Sequence, residues 1–480
     1  MIKVFDVLVI GAGPGGYVAA KECGSLGLNT ACVDNFVVTD KTSIDNSVNT
    51  HYSLGGTCLN VGCIPSKILL QSSEHFYNLK NEFAEHGISC SSPKVDISQM
   101  ITRKDELCTK NASGISFLFK KSKVVELHGN ASFVEYKDGK YSLVIDDFLL
   151  NKQITVLATH VVIATGSVPR QLSQIAIDNE MILDNQGALD LQSVPKSMCI
   201  IGAGVIGLEL GSVWNRLGAD VTILDVSDKF LRTADEQVSK ELLKQLTGQG
   251  LKIISGVKLS DIIKTKKEVT INYKLNDKVY TITADKLLVS IGRVPYTDGL
   301  GLDKIGLELS DYGSIKANDY CQTELPNLWA IGDCTRGVML AHKASAEGKM
   351  VAERIMGQKT EINYDHIPFV IYTNPEVAWV GLTEQDLLAK NIKYKKGIAH
   401  FLSNGRAMAL GAKFGFIKIL ACSETDRVLG AHMVGPMVAE VLAEVVLAME
   451  FKASSEDIAR VIHSHPSLSE VLQEATIAVK

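Results

Sequence analysis

The 480-residue sequence has few cysteines, no long uninterrupted hydrophobic run and no excess of positive charge. Its ten cysteines are too sparse for a scaffold that depends on disulfides. This excludes the small disulfide-rich secreted class and is typical of a reducing compartment. Most of the cysteines stand alone in the sequence: Cys23, Cys32, Cys90, Cys108, Cys199, Cys321, Cys334 and Cys422.

Hydrophobic stretches long enough to cross a membrane are also missing from the sequence. The most apolar window, 198–214, contains Glu209 and regularly placed glycines, and 438–451 carries three glutamates at helical spacing. The first ten residues run directly into glycines, without the apolar core and cleavage site of a signal peptide. We therefore expect no membrane association and a cytoplasmic location, or an organelle matrix if a transit peptide has been omitted.

The charge balance disfavours a nucleic-acid partner. Lysine and arginine number 49 against 54 acidic residues, for a formal charge of −5, and no basic cluster offers many phosphate contacts. With 46% hydrophobic and 21% charged residues, the chain can bury a sizeable core. At the usual size of roughly 100–200 residues per domain, we expect about three or four domains.

A dinucleotide-binding pattern opens the chain. The apolar run 7–10 precedes Gly11-Ala12-Gly13-Pro14-Gly15-Gly16 and a helix-compatible stretch, and a second apolar run ends in Asp34, 23 residues after Gly11. In such a βαβ unit the first glycine permits the turn, the second admits the pyrophosphate, and the third allows close packing of helix on strand. Gly11, Gly13 and Gly16 therefore predict a phosphate site at a helix N-terminus, and Asp34 a ribose contact.

The same pattern recurs from residue 197. Gly202, Gly204 and Gly207 have the same spacing, and Asp225 again follows 23 residues after the first glycine. Two complete units predict two bound dinucleotides. A carboxylate at 225 suits a free 2′-hydroxyl and repels a 2′-phosphate, and residues 226–228 contain no arginine, so we predict NAD rather than NADP at this site.

Two cysteines, Cys58 and Cys63, stand five positions apart within a segment rich in glycine. The spacing is too wide for a Cys-x-x-Cys redox pair, and no second Cys/His pair completes a zinc site, so no metal is predicted. In a regular helix these residues are slightly too far apart for a disulfide, but flanking glycines permit a distorted turn that closes the distance. A strained ring of this kind is readily reduced.

The segment 55–67, Gly-Gly-Thr-Cys-Leu-Asn-Val-Gly-Cys-Ile-Pro-Ser-Lys, resembles the redox-active disulfide segment of the flavoprotein pyridine-nucleotide disulfide reductases, the class-I pyridine nucleotide-disulfide oxidoreductases. The resemblance covers nearly the whole chain. Further matching segments are Ala164-Thr165-Gly166-Ser167, Gly292-Arg293-Val294-Pro295, Ala330-Ile331-Gly332-Asp333, residues 339–344, residues 375–381 and Ile462 to Glu470.

The resemblance implies FAD and NAD as cofactors and assigns roles to individual residues. Cys58 is the thiol that exchanges with substrate, and Cys63 is the thiol beside the flavin. Lys67 lies near the flavin and pairs with Glu209, a buried charge that needs a partner. Further cofactor contacts are implied for Thr57, Ala131, Thr165, Gly166, Ser167, Asp333, Met339, Leu340, Ala341 and His342 on the flavin side, and for Val257 and Gly292 on the NAD side.

A general base is needed because only a thiolate attacks a disulfide. His465 is a candidate because a neutral imidazole is a common general base in proteins, and Glu470, expected one turn into a helix that Pro466 starts, can fix its tautomer. Taken alone, a His-Pro pair is more often a capping or core histidine. The resemblance implies instead an acid–base dyad that reaches the disulfide of the opposite subunit, and hence a homodimer, whereas His463 is interpreted as structural.

These observations predict an α/β fold with two Rossmann-like dinucleotide-binding domains, for FAD and NAD, and a C-terminal α+β dimerisation domain. The predicted domains are 1–160 for FAD, 161–289 for NAD, 290–359 as a central segment that completes the FAD site, and 360–480 for dimerisation. In the last, we expect strands at 416–420 and 428–434 and a helix at about 436–451. The polar stretch from Phe36 to Ser53 is expected to be a surface loop without an assigned role.

The implied reaction is the oxidation of a dihydrolipoyl group by NAD⁺ through the cysteine pair and FAD. The implied partners are lipoyl domains of 2-oxoacid dehydrogenase complexes or the glycine cleavage H protein. A glutathione or trypanothione reductase would need NADPH, which Asp225 disfavours. A non-catalytic subunit that only docks onto a complex is disfavoured by the intact cysteine pair and dyad.

Overall fold

The computed structural model describes residues 2–40, 49–412 and 414–480. Its strands are β1 Ile2–Ile10, β2 Thr30–Asp34, β3 Val37–Asp40, β4 Asn49–Tyr52, β5 Val125–Lys137, β6 Lys140–Asp147, β7 Lys152–Ile163, β8 Ser167–Pro169, β9 Ile182–Leu183, β10 Ser197–Ile201, β11 Asp220–Asp225, β12 Lys252–Ser255, β13 Lys258–Lys264, β14 Val269–Leu275, β15 Lys278–Ala284, β16 Lys286–Val289, β17 Arg293–Pro295, β18 Leu328–Ala330, β19 Phe369–Ile371, β20 Glu376–Gly381, β21 Tyr394–His400, β22 Phe416–Cys422 and β23 Val428–Gly435.

The helices alternate with strands only locally, as in β1-α1-β2 and β10-α6-β11, and elsewhere strands and helices occur in runs. They are α1 Pro14–Ser25, α2 Gly56–Val61, α3 Cys63–Asn81, α4 Ile97–Lys121, α5 Asn185–Leu189, α6 Val205–Leu217, α7 Glu236–Gly248, α8 Ala341–Ile355, α9 Glu384–Ala389, α10 Gly405–Ala409, α11 Val438–Glu450, α12 Ser455–Arg460 and α13 Ser469–Ile477. No helix among the described residues is both long and apolar enough to cross a membrane.

The chain divides into two compact units. The first comprises Met1–Ser66, Gln99–Arg170 and Gly292–Ile362, and the second comprises Lys67–Ser98, Gln171–Ile291 and Asn363–Lys480. The first unit thus joins the predicted FAD domain with the central segment, and the second joins the predicted NAD and dimerisation regions. The four predicted domains are a finer division than these two units and stay predictions.

In the first unit, β1, β2, β5, β6, β7 and β18 form one sheet, and an additional pairing of β1 with β7 closes five of its strands into a ring. β1 pairs with β2 and β7 in parallel, whereas β6 runs antiparallel to both of its neighbours. The end of β1, residues 7–10, is buried without alternation, as expected for a parallel strand covered on both faces. The glycine turn that follows therefore lies at the carboxyl end of this buried strand.

The second unit contains a parallel sheet in the order β12-β11-β10-β16-β9 and an antiparallel sheet in the order β19-β20-β23-β22-β21. β13, β14 and β15 form a separate three-stranded antiparallel sheet. The strands at 416–422 and 428–435 and the helix at 438–450 confirm the secondary structure predicted for the C-terminal region. The predicted α/β class with a C-terminal α+β region is confirmed.

The stretch from Phe36 to Ser53 differs from the prediction. β3 and β4 pair antiparallel, with Val37 opposite Tyr52, so the described ends of this stretch form a hairpin rather than a loop. The Tyr52 ring stacks on Phe148 at 5.9 Å and lies 5.1 Å from the His128 ring. The sequence did not predict these strands for two reasons. The stretch is polar, and the aromatic residues that its Tyr52 contacts lie far away in the sequence. Residues 41–48 lie outside the described residues.

Candidate active site

The first βαβ unit forms a cradle at the N-terminus of α1. Gly11 adopts a φ of +99°, and a Cβ at Gly16 would lie 1.8 Å from the Gly11 carbonyl oxygen, so both positions require glycine. At Gly13, by contrast, an added Cβ would meet no atom within 4 Å. Gly13 is also the N-cap of α1, and no side chain caps the helix there. The open space and the uncapped amides fit the pyrophosphate of a dinucleotide such as FAD.

The second βαβ unit repeats this geometry at the N-terminus of α6. Gly202 has a φ of +106°, a Cβ at Gly207 would lie 2.1 Å from the Gly202 carbonyl oxygen, and one at Gly204 would meet no atom within 4 Å. A cavity of about 520 Å³ opens beside this turn. Its lining consists of Ala203, Gly204, Asp225, Val226, Ser227, Asp228, Lys229, Leu231, Arg232 and Thr233. A dinucleotide therefore fits the second βαβ unit as well.

Replacing Gly204 by alanine is expected to weaken NADH binding while leaving the free energy of unfolding within about 0.5 kcal/mol of wild type. The new methyl group would meet no protein atom but would occupy the space where the pyrophosphate approaches. Gly207→Ala is the matched variant, and its Cβ would clash with the Gly202 carbonyl, destabilising the protein by about 1–3 kcal/mol. Urea unfolding and titration with NADH measure the two effects, and equal unfolding free energies for both variants would contradict the assignment.

The two predicted ribose-binding carboxylates also brace their own turns. Asp34 accepts a short hydrogen bond from the Ala12 amide and a 2.7 Å bond from the Phe36 amide. Asp225 accepts equivalent bonds from Ala203, at 2.9 Å, and Ser227, at 2.8 Å. Burial raises the pKa of Asp34 despite these amide donors. Their predicted contacts with ribose stay predictions, whereas the backbone contacts were not predicted from the sequence.

Two cationic side chains just beyond residues 226–228 line the cavity and were not considered in the prediction of NAD. Lys229 and Arg232 both line it, and Lys229 is bound to Glu236 at 3.1 Å. Val257, predicted to contact NAD, is buried in the hydrophobic core and is not among the lining residues. Gly292, the other predicted contact, lies in the first unit, where its carbonyl accepts the Arg170 amide at 3.0 Å. Both assignments stay predictions.

The cysteine segment has the distortion that its spacing requires. α2 ends at Val61, Gly62 leaves helical geometry with φ −143° and ψ −115°, and α3 begins at Cys63. A Cβ at Gly62 would lie 2.8 Å from the Thr57 carbonyl oxygen and 3.2 Å from the Cys58 Cα. Glycine thus lets the two helix ends approach, and Cys58 and Cys63 lie near the distance of a redox disulfide. The arrangement is suited to thiol–disulfide exchange.

A polar network connects the predicted flavin contacts of the first unit. Ser167 Oγ donates to Asp333 Oδ2 at 2.6 Å and accepts from Arg293 Nε at 2.7 Å. Arg293 also lies 3.4 Å from Thr57 Oγ1, next to Cys58. Arg293 was not predicted as a site residue, although it belongs to the matching segment Gly292 to Pro295. Its contacts span 236 sequence positions, so no local pattern reveals them.

A buried ion pair on α8 holds the turn before Asp333. Glu347 accepts the Gly332 amide at 2.7 Å, and Lys343, 3.0 Å from Glu347, donates to the Gly332 carbonyl at 3.4 Å. This ion pair fixes the backbone that carries Asp333.

The other predicted flavin contacts lie in three places. Met339 and Leu340 directly precede α8, and Ala341 and His342 begin it. The Thr165 hydroxyl donates to the Tyr296 carbonyl, and the Gly166 carbonyl accepts the Tyr296 amide. Ala131 is buried within the hydrophobic core.

Lys67 and Glu209 form the ion pair that the resemblance implied. Lys67 Nζ lies 2.7 Å from Glu209 Oε2 and 3.0 Å from Oε1. Glu209 also accepts the Tyr372 amide at 3.0 Å, and the lysine ammonium lies 4.7 Å from the centre of the Tyr372 ring. Tyr372 was not predicted. The carboxylate is buried and its charge is balanced.

His465 and Glu470 are in direct contact. His465 Nδ1 lies 2.8 Å from Glu470 Oε1, and Glu470 Oε2 accepts the Ser467 amide at 2.8 Å. The Ser467 amide, followed by the imidazole, lowers the pKa of Glu470. The side chain of His465 is 81% exposed, so Nε2 is accessible to another molecule. The helix begins at Ser469, with Leu468 as its N-cap, so the predicted start at Pro466 was wrong.

His463 has a different environment. Its Nε2 is bound to Glu444 Oε1 at 2.8 Å and its Nδ1 to the Val461 carbonyl at 2.9 Å. Both ring nitrogens are therefore engaged within the chain. This agrees with its interpretation as a structural histidine.

Comparison with known proteins gives full-length matches. Residues 5–348 match the pyridine nucleotide-disulphide oxidoreductase family, and residues 367–476 match its dimerisation domain. A dihydrolipoyl dehydrogenase from Cupriavidus necator is 52% identical over 480 residues, covering all of this chain and 98% of that protein. A mitochondrial dihydrolipoyl dehydrogenase from Schizosaccharomyces pombe is 42% identical, covering 99% of this chain and 89% of its own. The crystal structure of LpdA from Mycobacterium tuberculosis has the same fold, with a TM-score of 0.89, 23% identity, and coverage of 98% of this chain and 99% of its own.

Proposed function

Because the chain belongs to the pyridine nucleotide-disulphide oxidoreductase family, we propose that it is a dihydrolipoyl dehydrogenase that oxidises dihydrolipoyl groups and reduces NAD⁺ to NADH. The observation that carries this proposal is the approach of Cys58 and Cys63 across the break at Gly62, in a chain with two dinucleotide-binding turns. FAD and NAD are its cofactors. The 52% identity with the Cupriavidus necator enzyme supports the substrate.

The residues of this chain supply the acid–base and sulfur chemistry. Because His465 Nδ1 is bound to Glu470, Nε2 is the nitrogen that takes the proton from the first dihydrolipoyl thiol. The resulting thiolate attacks Cys58 Sγ, the Cys58–Cys63 bond breaks, and Cys63 leaves as a thiolate. The second dihydrolipoyl thiol then displaces Cys58 and its proton passes to the departing Cys58 sulfur, so the lipoyl disulfide closes and the cysteine pair is left reduced, with a thiol at Cys58 and a thiolate at Cys63.

The first βαβ unit would hold FAD through the α1 N-terminus and the Ser167–Asp333 pair. FAD bound there would supply the chemistry that accepts two electrons and a proton from the reduced cysteine pair and delivers them to NAD⁺ as a hydride. The ammonium of Lys67, fixed by Glu209, supplies a positive charge on the helix that begins at Cys63. In the second unit, Asp225 at the rim of the cavity favours the free 2′-hydroxyl of NAD over a 2′-phosphate.

The dimerisation domain at 367–476 supports a homodimer. The exposure of His465 agrees with a base that serves the cysteine pair of the second subunit. The proposed partners are lipoyl domains of 2-oxoacid dehydrogenase complexes or the glycine cleavage H protein. The proposed location is the cytoplasm.

A paired assay on one purified, FAD-loaded sample tests the proposed function. We expect rapid NADH formation from dihydrolipoamide and NAD⁺, and no appreciable oxidation of NADPH by glutathione disulfide. The reverse result would make the protein a glutathione reductase. If neither reaction occurs although FAD is bound, the proposal is wrong and the protein is a non-catalytic subunit that docks onto a complex.

A further inference from the structure

A charged cluster is buried in the second unit, away from the residues that take part in the proposed chemistry. Lys418 lies in the middle of the apolar strand β22 and is fully buried. Its ammonium binds both oxygens of Asp235, at 3.0 and 2.9 Å, and makes a short contact with Glu384. We call Lys418, Asp235 and Glu384 the buried cluster.

The groups around the buried cluster keep its two carboxylates ionised. Glu384 also accepts hydrogen bonds from the Tyr394 hydroxyl at 2.7 Å and the Lys396 ammonium at 2.8 Å, and its lysine partners lower its pKa to about 2 despite burial. The hydrogen-bonded Lys418 ammonium likewise lowers the pKa of Asp235, against the effect of burial. Replacing a buried ion pair by apolar groups is often neutral or stabilising, so stability alone does not account for such a cluster.

The position of Asp235 in the fold indicates what the buried cluster fixes. Asp235 is the N-cap of α7 and accepts the Gln237 amide at 3.0 Å. Its Oδ2 accepts the Glu384 amide at 3.3 Å, and the Ala234 carbonyl accepts Gln385 Nε2 at 2.8 Å. The chain just before Ala234, from Asp225 to Thr233, supplies all of the lining of the 520 Å³ cavity except Ala203 and Gly204, and forms one wall of it. Asp225 holds one end of this wall, and β22 and α9 hold the other. Between the ends, the Ser227 carbonyl accepts the Gly256 amide at 2.7 Å and the Leu231 carbonyl accepts the Ser239 hydroxyl at 3.1 Å.

We propose that Lys418 is a positioning residue for NAD: through Asp235 it holds the 226–233 wall against which the adenosine half of the dinucleotide binds. This inference rests on the proposed function, which places NAD in that cavity. Residues 226–233 form no helix or strand, so the position of the wall depends on the hydrogen bonds that hold it. A displaced wall loses contact with adenosine, whereas the cysteine pair and the His465–Glu470 dyad keep their own local contacts.

Lys418→Met, in the FAD-loaded full-length protein, tests this inference. The matched control is Lys396→Met, which removes the exposed lysine partner of the same Glu384 carboxylate. We expect Lys418→Met to raise the Kd of NADH and the KM of NAD⁺ about tenfold, with kcat nearly unchanged and the control close to wild type. In competition with NADH, 5′-AMP should bind Lys418→Met more weakly, whereas nicotinamide mononucleotide should bind both variants equally. Reduction of the protein by dihydrolipoamide in the absence of NAD⁺ should proceed at the wild-type rate.

Because Lys418→Met leaves the buried Asp235 carboxylate without its ammonium partner, the folding of the variant is checked first by thermal unfolding. Should it fail to fold, Gln385→Ala takes its place, since this change removes the Ala234 tether and leaves the buried cluster intact. The inference is overturned if the folded Lys418→Met protein binds NADH and 5′-AMP with wild-type affinity. The same result for Gln385→Ala overturns it when that variant has taken the place of Lys418→Met. A wild-type protein that does not bind NADH overturns the proposed function instead, so the two failures are distinguishable.

Discussion

Replacing His465 by glutamine is expected to lower the turnover of dihydrolipoamide by about 10²–10⁴-fold, the usual cost of a lost general base. Glutamine can still hydrogen-bond to Glu470, but it cannot take the thiol proton at Nε2. Without that proton transfer, too little of the substrate is thiolate to attack Cys58. Steady-state NADH formation at saturating NAD⁺ measures the loss.

His463→Gln is the matched control, because this neighbouring imidazole is already bound to Glu444 and to the Val461 carbonyl. Its turnover should stay within a few-fold of wild type. Both variants should retain NADH-dependent reduction of ferricyanide, which requires bound flavin but no dithiol. A His465→Gln enzyme with near-normal dihydrolipoamide turnover would remove the dyad from the mechanism.

Replacing either Cys58 or Cys63 by serine is expected to abolish dihydrolipoamide oxidation, since a single sulfur cannot form the disulfide that accepts two electrons. The two variants should differ in colour. Cys58→Ser keeps the thiol assigned to the flavin side, so raising the pH should produce a long-wavelength absorbance as the thiolate forms beside the flavin. Cys63→Ser should lack that absorbance.

Cys90→Ser serves as the control for these changes, because Cys90 is an exposed cysteine outside the 55–67 segment. It should match wild type in both turnover and absorbance. If Cys63→Ser shows the long-wavelength band and Cys58→Ser does not, the assigned roles of the two sulfurs must be exchanged.

The parts of the site that the sequence predicts are those that depend on local geometry. The two glycine turns repeat because Gly11 and Gly202 need positive φ, and because Gly16 and Gly207 leave no room for a side chain. A disulfide across five positions needs a break such as the one at Gly62. These requirements act over a few residues, and so they appear as short motifs.

The parts that the sequence did not reveal depend on contacts between distant segments. Arg293 reaches Thr57 and Ser167 across more than a hundred positions, and Lys418 reaches Asp235 across 183. In the sequence, Lys418 is an isolated charge in an apolar strand. Its partners become evident only once β22 is brought beside the N-terminus of α7.

The break at Gly62 places the two reactive sulfurs on separate helices. Cys63 begins the 19-residue helix α3, whereas Cys58 belongs to the six-residue helix α2. No helical turn therefore contains both sulfurs, and the bond between them crosses the break rather than lying within either helix. The sulfur assigned to substrate exchange thus lies on the short helix, and the sulfur assigned to the flavin side begins the long one.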